Sequence, residues 1–477
     1  MNLGEMNFGM TDKGEVRMQK VFRGRAAELN ALEHKFRQRG FFMTILYGRR
    51  RVGKTELINK FIREHDCKSI SFTAVEREET ELLSMMTESV LMSLAPDMAD
   101  DISFGSFEKL FAFIGKQAEK ERIIFAIDEY PYLAKQCPYI QSVLQKIIDT
   151  TWKNGNLFFI LCGSLVSFMK EEVLAQTAPL YGRSHLELHL KPFNYLETAA
   201  FLEGFSNEEK AICFGLTNGV AKYIEQFDPT YSLEENIIGQ FYTIGGYFTE
   251  EQIRTVITGE RQSPALYNSI LSAVATGHTK NSEIASYVGS SDITYPLKML
   301  LSAELLEKRV SNKPYYVLSD SMLAFWFKYV NRAVSLISAG RGETYYRSNV
   351  QPHLHDFMGK IFEKMAKEYL FLHAGLEDFP IVTEITDYQQ SVLDENRKPK
   401  QIEIDLLGKN DNNIELVGEC KFKHALFDLR EYDKFMEKLK YLPAIHPELY
   451  LFSLSGFTEE VKKNAGNCKL ICLDDMY

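Results

Sequence analysis

The stretch FFMTILYGRRRVGKTELINKFI, from Phe41 to Ile62, joins an apolar segment, a glycine-rich loop and an amphipathic segment in that order. Its loop, Gly48 to Thr55, fits the pattern G-x-x-x-x-G-K-[ST] completely. The apolar segment predicts a β-strand, and a following helix is predicted from the inward-facing residues Leu57, Ile58, Phe61 and Ile62. Strand, loop and helix together are the context in which this pattern forms a phosphate-binding loop.

The residue types of this loop suit a bound nucleotide. Glycines let backbone N–H groups turn toward phosphate oxygens, the Lys54 ammonium can reach the terminal phosphates, and the Thr55 hydroxyl can ligate Mg²⁺. A chance match is the alternative, and the flanking strand and helix disfavour it. We therefore expect ATP and Mg²⁺ as cofactors, held by the whole loop: Gly48, Arg49, Arg50, Arg51, Val52, Gly53, Lys54 and Thr55.

A second apolar strand, Ile123 to Ile127, ends in Asp128 and Glu129. Acids at this end of a strand lie where open α/β sheets bind ligands. Asp128 is expected to hold Mg²⁺, and Glu129 to orient or deprotonate the water that attacks the γ-phosphate. Together they favour hydrolysis over binding alone. The alternative is a pair of helix-capping acids after a buried strand.

Two more residues are candidates for the nucleotide site. The strand NLFFILCGS brings Ser164 to the same sheet edge, where its hydroxyl either senses the γ-phosphate or caps a helix. Arg183, in LYGRS, could stabilise transition-state charge in cis or from a second subunit, as an arginine finger does. The alternative is a solvated surface arginine. A role across subunits needs a homo-oligomer, and we expect one for that reason.

Six segments together resemble the archaeal-type ATPases of the STAND branch of AAA+-like P-loop proteins. They are FRGRAAEL (Phe22 to Leu29), the phosphate loop, AIDEYPYL, LCGS, LYGRS and TNGVAKYI (Thr217 to Ile224). The resemblance covers roughly the first half of the chain. It implies that Gly24, Arg25 and Glu28 contribute to the nucleotide pocket and that TNGVAKYI belongs to a helical lid.

The middle of the chain predicts a helical lid from about Pro192 to Phe248, then three helices and a β-ribbon. That order is typical of a winged helix-turn-helix, whose third helix can read the major groove of DNA. Ser291 is predicted to cap this third helix. Asp292 and Glu304 accompany Lys298 on its polar face, so DNA contact and a protein-packing spacer both remain open. Phosphate contacts are predicted for Lys308, Arg309 and Lys313.

After a polar linker at Gly340–Asn349, the stretch EIDLLGKNDNNIELVGECKFK predicts two strands that carry acids. Side chains alternate along a strand, so Glu403, Asp405 and Leu407 are expected on one face of the first. Ile402, Ile404 and Leu406 are expected on the other. If the two strands pair, Asp405 converges with two residues of the second strand, Glu419 and Lys421.

The order helix, Asp-bearing strand, Glu-x-Lys strand, helix and strand resembles the PD-(D/E)XK nuclease fold. It is similar in particular to the C-terminal domain that accompanies archaeal-type ATPases. The resemblance implies that Asp405 and Glu419 bind Mg²⁺ or Mn²⁺, that Lys421 positions water or steadies the developing anion, and that Glu363 is an additional helix acid. The alternatives are an exposed hairpin with a charged face and a degenerate nuclease fold kept as a scaffold.

Composition limits the remaining choices. The chain has 477 residues, 45% of them hydrophobic and 25% charged, with no apolar run long enough for a membrane span, so we expect a cytoplasmic protein without a membrane role. The net charge of -10 argues against indiscriminate coating of nucleic acid. Residues 1–60 differ from the whole chain in charge, because they contain 13 basic and 6 acidic residues. Seven scattered cysteines without CxxC spacing indicate reduced thiols.

The predicted fold class is therefore a multidomain α/β protein. We expect a P-loop ATPase core at 1–190, a helical lid at 191–260, a winged helix at 261–340 and a restriction-endonuclease-like domain at 341–477. The predicted function is ATP hydrolysis that controls a metal-dependent nuclease-like domain acting on nucleic acid, with DNA favoured over RNA. The alternatives are an ATP-driven switch or scaffold and an ATP-regulated DNA-binding regulator.

Overall fold

The computed structural model describes residues 22–99, 102–249, 264–290, 292–310, 314–376, 378–393, 399–442 and 446–477. The chain divides into two compact units. The first contains the chain up to Tyr47, then Gly53–Gly163 and Gln176–His189. The second contains Gly48–Val52, Ser164–Ala175 and Leu190–Tyr477. Within the described ranges, no helix has the length and apolar character needed to cross a membrane.

The first unit is built on a parallel five-stranded sheet in the order β2-β3-β4-β1-β5. The strands are β1 Phe42–Tyr47, β2 Lys68–Thr73, β3 Ile123–Asp128, β4 Leu157–Gly163 and β5 Leu186–His189. Strands β3 and β4 are buried along their whole length, as their continuous apolar sequences predict for the centre of a parallel sheet. Strand β4 separates the strand that precedes the phosphate loop from the strand that ends in Asp128.

Among its described residues, the α-helices of this unit are α1 Ala26–Phe36, α2 Lys54–Arg63, α3 Glu79–Leu94, α4 Phe107–Ala118, α5 Tyr130–Gln136 and α6 Ile140–Thr150. Helix α2 buries Leu57, Ile58 and Phe61, as its periodicity predicts. The core also contains Trp152, which is fully buried and whose indole N–H donates to the carbonyl of Phe111 at 2.9 Å. That bond satisfies the one polar atom of a large apolar side chain.

The second unit begins with short helices followed by three helices and a β-ribbon. The helices are α7 Val166–Phe168, α8 Tyr195–Ala199, α9 Asn207–Thr217, α10 Ala221–Ile224, α11 Leu233–Phe241, α12 Pro264–Ala275, α13 Asn281–Val288 and α14 Thr294–Ser302. The antiparallel ribbon pairs β6 Leu306–Val310 with β7 Pro314–Leu318. Helix α14 buries Leu297 and Leu300. Ser291 and Lys313 lie outside the described residues.

The predicted linker at Gly340–Asn349 is wrong. Helix α17 Gly342–Asn349 occupies this part of the chain, and it follows helices α15 Ser321–Phe325 and α16 Val334–Ser338. Tyr346 of α17 is fully buried in the hydrophobic core of the second unit. The polar composition of the segment reflects only the solvent-facing side of α17, while burial of one large aromatic ring fixes the helix in place.

The C-terminal part of the second unit is a mixed five-stranded sheet in the order β12-β11-β10-β9-β8. Its strands are β8 Glu384–Leu393, β9 Pro399–Asn410, β10 Asn413–Lys421, β11 Glu448–Ser453 and β12 Lys469–Cys472. Strands β8, β9 and β10 pair antiparallel, and β10, β11 and β12 pair parallel. In the part of this region that the structure describes, the accompanying α-helices are α18 Leu354–His373, α19 Leu429–Leu439 and α20 Glu459–Asn464.

The faces of β9 do not alternate as the sequence predicts. Ile402 and Ile404 belong to the apolar cluster that contains Phe435 of α19, whereas Leu406 belongs to the cluster that contains Phe362 of α18. The pairing with β8 is irregular here, because Thr386 lies opposite Leu407 and Tyr388 lies opposite Ile404. Strand β9 thus carries one extra residue, a β-bulge that includes Asp405 and reverses the faces beyond it.

Candidate functional site

The phosphate loop connects β1 to α2. Gly53 is the residue before α2 and has φ 96°, in the region that favours glycine. A Cβ atom on Gly48 would lie 2.2 Å from the carbonyl oxygen of Leu190, so the backbone approach at this position requires glycine. The two glycines of the motif are therefore needed for backbone geometry, which brings N–H groups to the start of a helix.

The predicted magnesium ligands meet at this site. The Thr55 hydroxyl donates to Oδ2 of Asp128 at 2.6 Å, and Oδ1 of Asp128 accepts the backbone N–H of Glu129 at 2.8 Å. Lys54 and Asp128 are buried, whereas Thr55 is exposed. A hydroxyl and a carboxylate oxygen are hard ligands of the kind Mg²⁺ prefers, so the residues present fit the ion.

Glu129 has an unusual backbone. Its φ of 52° and ψ of 40° lie in the left-handed region, which costs a residue with a Cβ atom free energy. It directly precedes α5, whose second residue is Pro131. The proline fixes the start of that helix, and the bond from the Glu129 N–H to Asp128 holds the turn. Strain of this kind occurs where a side chain must point in one direction.

The remaining residues predicted for the nucleotide site are found as follows. Arg25 is buried at the start of α1, next to Gly24, and Nη1 pairs with Glu28 at 3.1 Å. Ser164 is buried directly after β4. Arg183 donates to both carboxylate oxygens of Asp149, at 3.0 Å and 2.7 Å. This hydrogen bond lowers the pKa of Asp149, and the charge-stabilising role of Arg183 stays a prediction.

The arginines of the phosphate loop have partners that the sequence did not predict. Arg49 lies 2.7 Å from the carboxylate of Asp320, which is fully buried and accepts the N–H of Leu323 at the start of α15. The guanidinium of Arg51 lies over the rings of Tyr223 and Tyr247, at 5.9 Å and 5.7 Å. Residues Gly48–Val52 thus contact the helices of the second unit, while Lys54 and Thr55 belong to the first.

A second constellation lies in the C-terminal sheet. Asp405 and Glu419 are 8% and 6% exposed, and the N–H of Cys420 donates to Oδ2 of Asp405 at 2.9 Å. The bulge leaves this N–H to be satisfied by a side chain, which explains the bond. Lys421 donates to Glu419 at 2.8 Å. The structure therefore brings together the acids and the lysine predicted from the two strands.

Glu363 of α18 completes this group, which we name the acid cluster: Glu363, Asp405 and Glu419. Burial, followed by the charge of Asp405, raises the pKa of Glu363 to about 7. Burial and the charge of Glu419 also raise the pKa of Asp405. Carboxylates crowded out of water need added positive charge, and a divalent ion with oxygen ligands supplies it. Carboxylate oxygens are the ligand type that Mg²⁺ and Mn²⁺ prefer, but the oxygens of these three acids do not all lie within 4.8 Å of one another in the described structure.

Lys438 is a member of this site that the sequence analysis missed. Its ammonium donates to both oxygens of Glu419, at 2.8 Å and 2.7 Å. It follows the buried Phe435 of α19 by three residues and so lies on the same helix face. A lysine within an inward-facing apolar stripe was the available signal. Lys360 also contributes, because it pairs with Glu363 at 3.0 Å and with Glu403 at 3.1 Å.

Comparison with known proteins assigns the class. Residues 22–227 match a family described as "ATPase domain predominantly from Archaea". Residues 326–434 match a family described as "Archaea bacterial proteins of unknown function", and this second region contains the acid cluster. With the phosphate loop and Asp128 in place, the first half of the chain is a P-loop ATPase domain.

Nearly the whole chain also matches a relative over that relative's full length. The "Uncharacterized protein MJECL04" of Methanocaldococcus jannaschii is 30% identical over 475 residues, which cover 95% of this chain and 100% of that protein. The chain belongs to the family of that protein. The "Uncharacterized ATP-binding protein MJ0423" of the same organism is 47% identical over 51 residues, or 11% of this chain and 86% of that protein.

Among solved structures, the Walker-type ATPase PABY2304 of Pyrococcus abyssi is similar with a TM-score of 0.48 and 21% identity. The similarity covers 64% of this chain and 96% of that chain. The family assignment therefore rests on the sequence relatives.

Proposed function

We propose that this protein hydrolyses ATP and that its nucleotide state controls metal-dependent cleavage of nucleic acid by the C-terminal domain. The observation that carries the second half of the proposal is the acid cluster, where three buried or half-buried carboxylates lie beside Lys421 and Lys438. Paired carboxylates with a lysine at one sheet edge are suited to metal-dependent phosphodiester chemistry.

The ATPase half follows from the residues at the phosphate loop. Lys54 binds the terminal phosphates, and Thr55 and Asp128 hold the magnesium ion, which neutralises charge on the phosphates when it is bound. Glu129 then orients the attacking water and accepts its proton. Glu129 has a backbone in the left-handed region, of the kind found at functional sites, and it is the residue that would distinguish hydrolysis from binding.

The nuclease half follows from the acid cluster. Asp405, Glu419 and Glu363 would hold a divalent ion, which supplies an activated water and offsets charge on the phosphodiester. The N–H of Cys420 fixes the Asp405 carboxylate, and Lys438 fixes Glu419. Lys421, which pairs with Glu419 at 2.8 Å, would position the water or steady the developing anion.

A cleft of about 580 Å³ in the second unit offers a path for nucleic acid. Its lining includes Glu363 together with five basic residues: Arg309, Lys328, Lys360, Lys364 and Lys367. Five acidic residues, Glu363 among them, balance this charge. A divalent ion on the acid cluster would make the region net positive, so we expect binding of nucleic acid to depend on the ion.

The three helices and ribbon, α12 to α14 with β6 and β7, support a winged helix and favour DNA over RNA as the substrate. Arg309 of β6 reaches the same cleft and pairs with Asp387 of β8 at 3.0 Å. A predicted phosphate contact thus lies along the lining that also contains Glu363.

The test is cleavage of single-stranded, double-stranded and branched DNA and RNA with Mn²⁺ and ATP. Wild-type protein is compared with Asp405→Ala and with Asp411→Ala, a control in the exposed turn between the same two strands. We expect cutting that is lost in Asp405→Ala and kept in Asp411→Ala. Intact substrates under all conditions would refute the proposed nuclease activity without contradicting the proposed ATP hydrolysis.

A second candidate function is an ATP-driven switch whose C-terminal domain is a scaffold. It is favoured by the partners that the acids already have, because Glu419 pairs with two lysines and Glu363 pairs with Lys360. A scaffold of this kind would leave nucleic acid intact and would change its oligomeric state with ATP. Sedimentation of wild type and Glu129→Gln with ATP separates the two functions.

A further inference from the structure

A third group of metal-ligating side chains lies apart from the nucleotide site and the acid cluster. It consists of Glu208, His355 and His424, whose candidate ligand atoms all lie within 4.8 Å of one another. Nε2 of His355 is 2.9 Å from Oε1 of Glu208, and Nε2 of His424 is 3.5 Å from the same oxygen. Among the residues that the structure describes, no other group of three histidine, cysteine or acidic side chains has its ligand atoms this close together.

The spacing fits one first-row divalent ion. Ligand atoms of a tetrahedral zinc ion at about 2.0–2.1 Å lie roughly 3.3 Å from one another. The two distances to Glu208 lie on either side of that value. Two imidazoles and one carboxylate are a common three-ligand set for Zn²⁺, and the fourth position is then open to water or to an external ligand.

The group is assembled from three separate parts of the second unit. Glu208 lies in the first turn of α9, His355 in the first turn of α18, and His424 three residues beyond Lys421 of β10. The imidazole of His355 packs near the ring of Phe422, with centroids 5.6 Å apart, and near that of His424, at 4.4 Å. Residues far apart in sequence thus direct their ligand atoms at one point.

We propose that Glu208, His355 and His424 form a zinc site. The ion would fix the segment that follows β10 to α9 and α18, and would thereby hold the strand that carries Glu419 and Lys421. The alternative is an ordinary ion pair between Glu208 and His355. An ion pair has no need of His424, so substitution of that exposed residue separates the two interpretations.

The experiment measures the binding of Zn²⁺ to the full chain by competition with a chromophoric zinc indicator, in excess Mg²⁺ to protect the nucleotide site. The variants are His424→Ala, His355→Ala and, as a matched control, His353→Ala. His353 is as exposed as His424 and lies two residues from His355, but it is outside the group. Asp405→Asn serves as the control for the acid cluster.

We expect one tightly bound Zn²⁺ that His424→Ala and His355→Ala each weaken about tenfold or more, while His353→Ala and Asp405→Asn leave it unchanged. Bound Co²⁺ should show the visible absorption of a four- or five-coordinate ion, also lost in His424→Ala. Equal zinc affinity in wild type and His424→Ala would overturn the proposal. Loss of the ion in Asp405→Asn alone would assign the zinc to the acid cluster and also overturn it.

Discussion

The nucleotide site and the acid cluster both place a carboxylate beside a lysine at the end of a β-strand, but they are constructed differently. At the nucleotide site, backbone geometry sets the arrangement: Gly53 and Glu129 have positive φ, and Thr55 bonds to Asp128. At the acid cluster, side chains set the arrangement, and burial, followed by the charge of a neighbouring acid, raises the pKa of Glu363 and of Asp405. The first site is organised by its backbone, whereas the second is the one at which we propose that an ion adds charge.

The largest effect expected from this difference is at Glu129. Replacement by Gln keeps the shape of the side chain and the bonds of Asp128, so ATP should bind as in the wild type. Loss of the group that accepts the proton from water should lower the hydrolysis rate by about 10²- to 10⁴-fold. Phosphate release and nucleotide binding measured together test this. Hydrolysis close to the wild-type rate would show that Glu129 is only a helix-capping acid.

A backbone-organised site should also be sensitive to a single methyl group. Gly48→Ala places a Cβ atom against the Leu190 carbonyl oxygen, and we expect it to lower the free energy of unfolding by about 3 kcal/mol and to weaken ATP binding. Gly239→Ala is the control, because no heavy atom lies within 4 Å of the new Cβ there. Urea unfolding of both variants gives the comparison. Similar stability in the two would mean that the loop tolerates a Cβ at Gly48.

The acid cluster should respond to ions instead. Mn²⁺ at about 100 times its Kd should stabilise the folded protein by about 2.7 kcal/mol, because it binds the folded chain alone. Asp405→Asn should abolish that gain and should itself be no less stable than wild type without the ion, since it removes one crowded charge. Thermal unfolding of both proteins with and without Mn²⁺ measures the stabilisation by the ion and the stability of the variant without it. An equal gain in the variant would place the ion elsewhere.

The smallest effect is expected at Glu368, a half-buried acid of α18 that accepts the N–H of Tyr195 at 3.0 Å. Burial raises the pKa of Glu368, so the folded chain holds this proton more tightly than the unfolded chain, and the stability it contributes is lost as the pH rises above the ordinary range of a glutamate. Glu368→Gln should therefore raise the free energy of unfolding by about 1 kcal/mol at neutral pH and change it little near pH 4. This gain should be the same with and without Mn²⁺.

The same contrast explains which parts of the molecule were predictable from sequence. The strand and the helix on either side of the phosphate loop were predicted correctly, because their apolar patterns and the positive φ of Gly53 are set within a few residues. The faces of β9 were not predicted correctly, because the bulge at Asp405 depends on pairing with β8. Local periodicity contains no information about such a register shift.

Long-range packing accounts for the other differences. The turn-like composition at Gly340–Asn349 concealed a helix fixed by one buried tyrosine. The partners of Arg183 and Arg49, Asp149 and Asp320, are distant in sequence, and nothing near either arginine indicates them. Lys438 was detectable only as a charge at an inward-facing position of an amphipathic helix. Each of these contacts is made by tertiary structure, which a one-dimensional pattern does not contain.

The decisive measurement is the rate at which wild type and Lys54→Ala cut a susceptible nucleic acid in Mn²⁺, with and without ATP. Our account predicts that ATP changes the rate in the wild type, that it has no effect in Lys54→Ala, and that Asp405→Asn cuts under neither condition. A rate that is the same in wild type and Lys54→Ala at every ATP concentration would contradict control of the acid cluster by the nucleotide site.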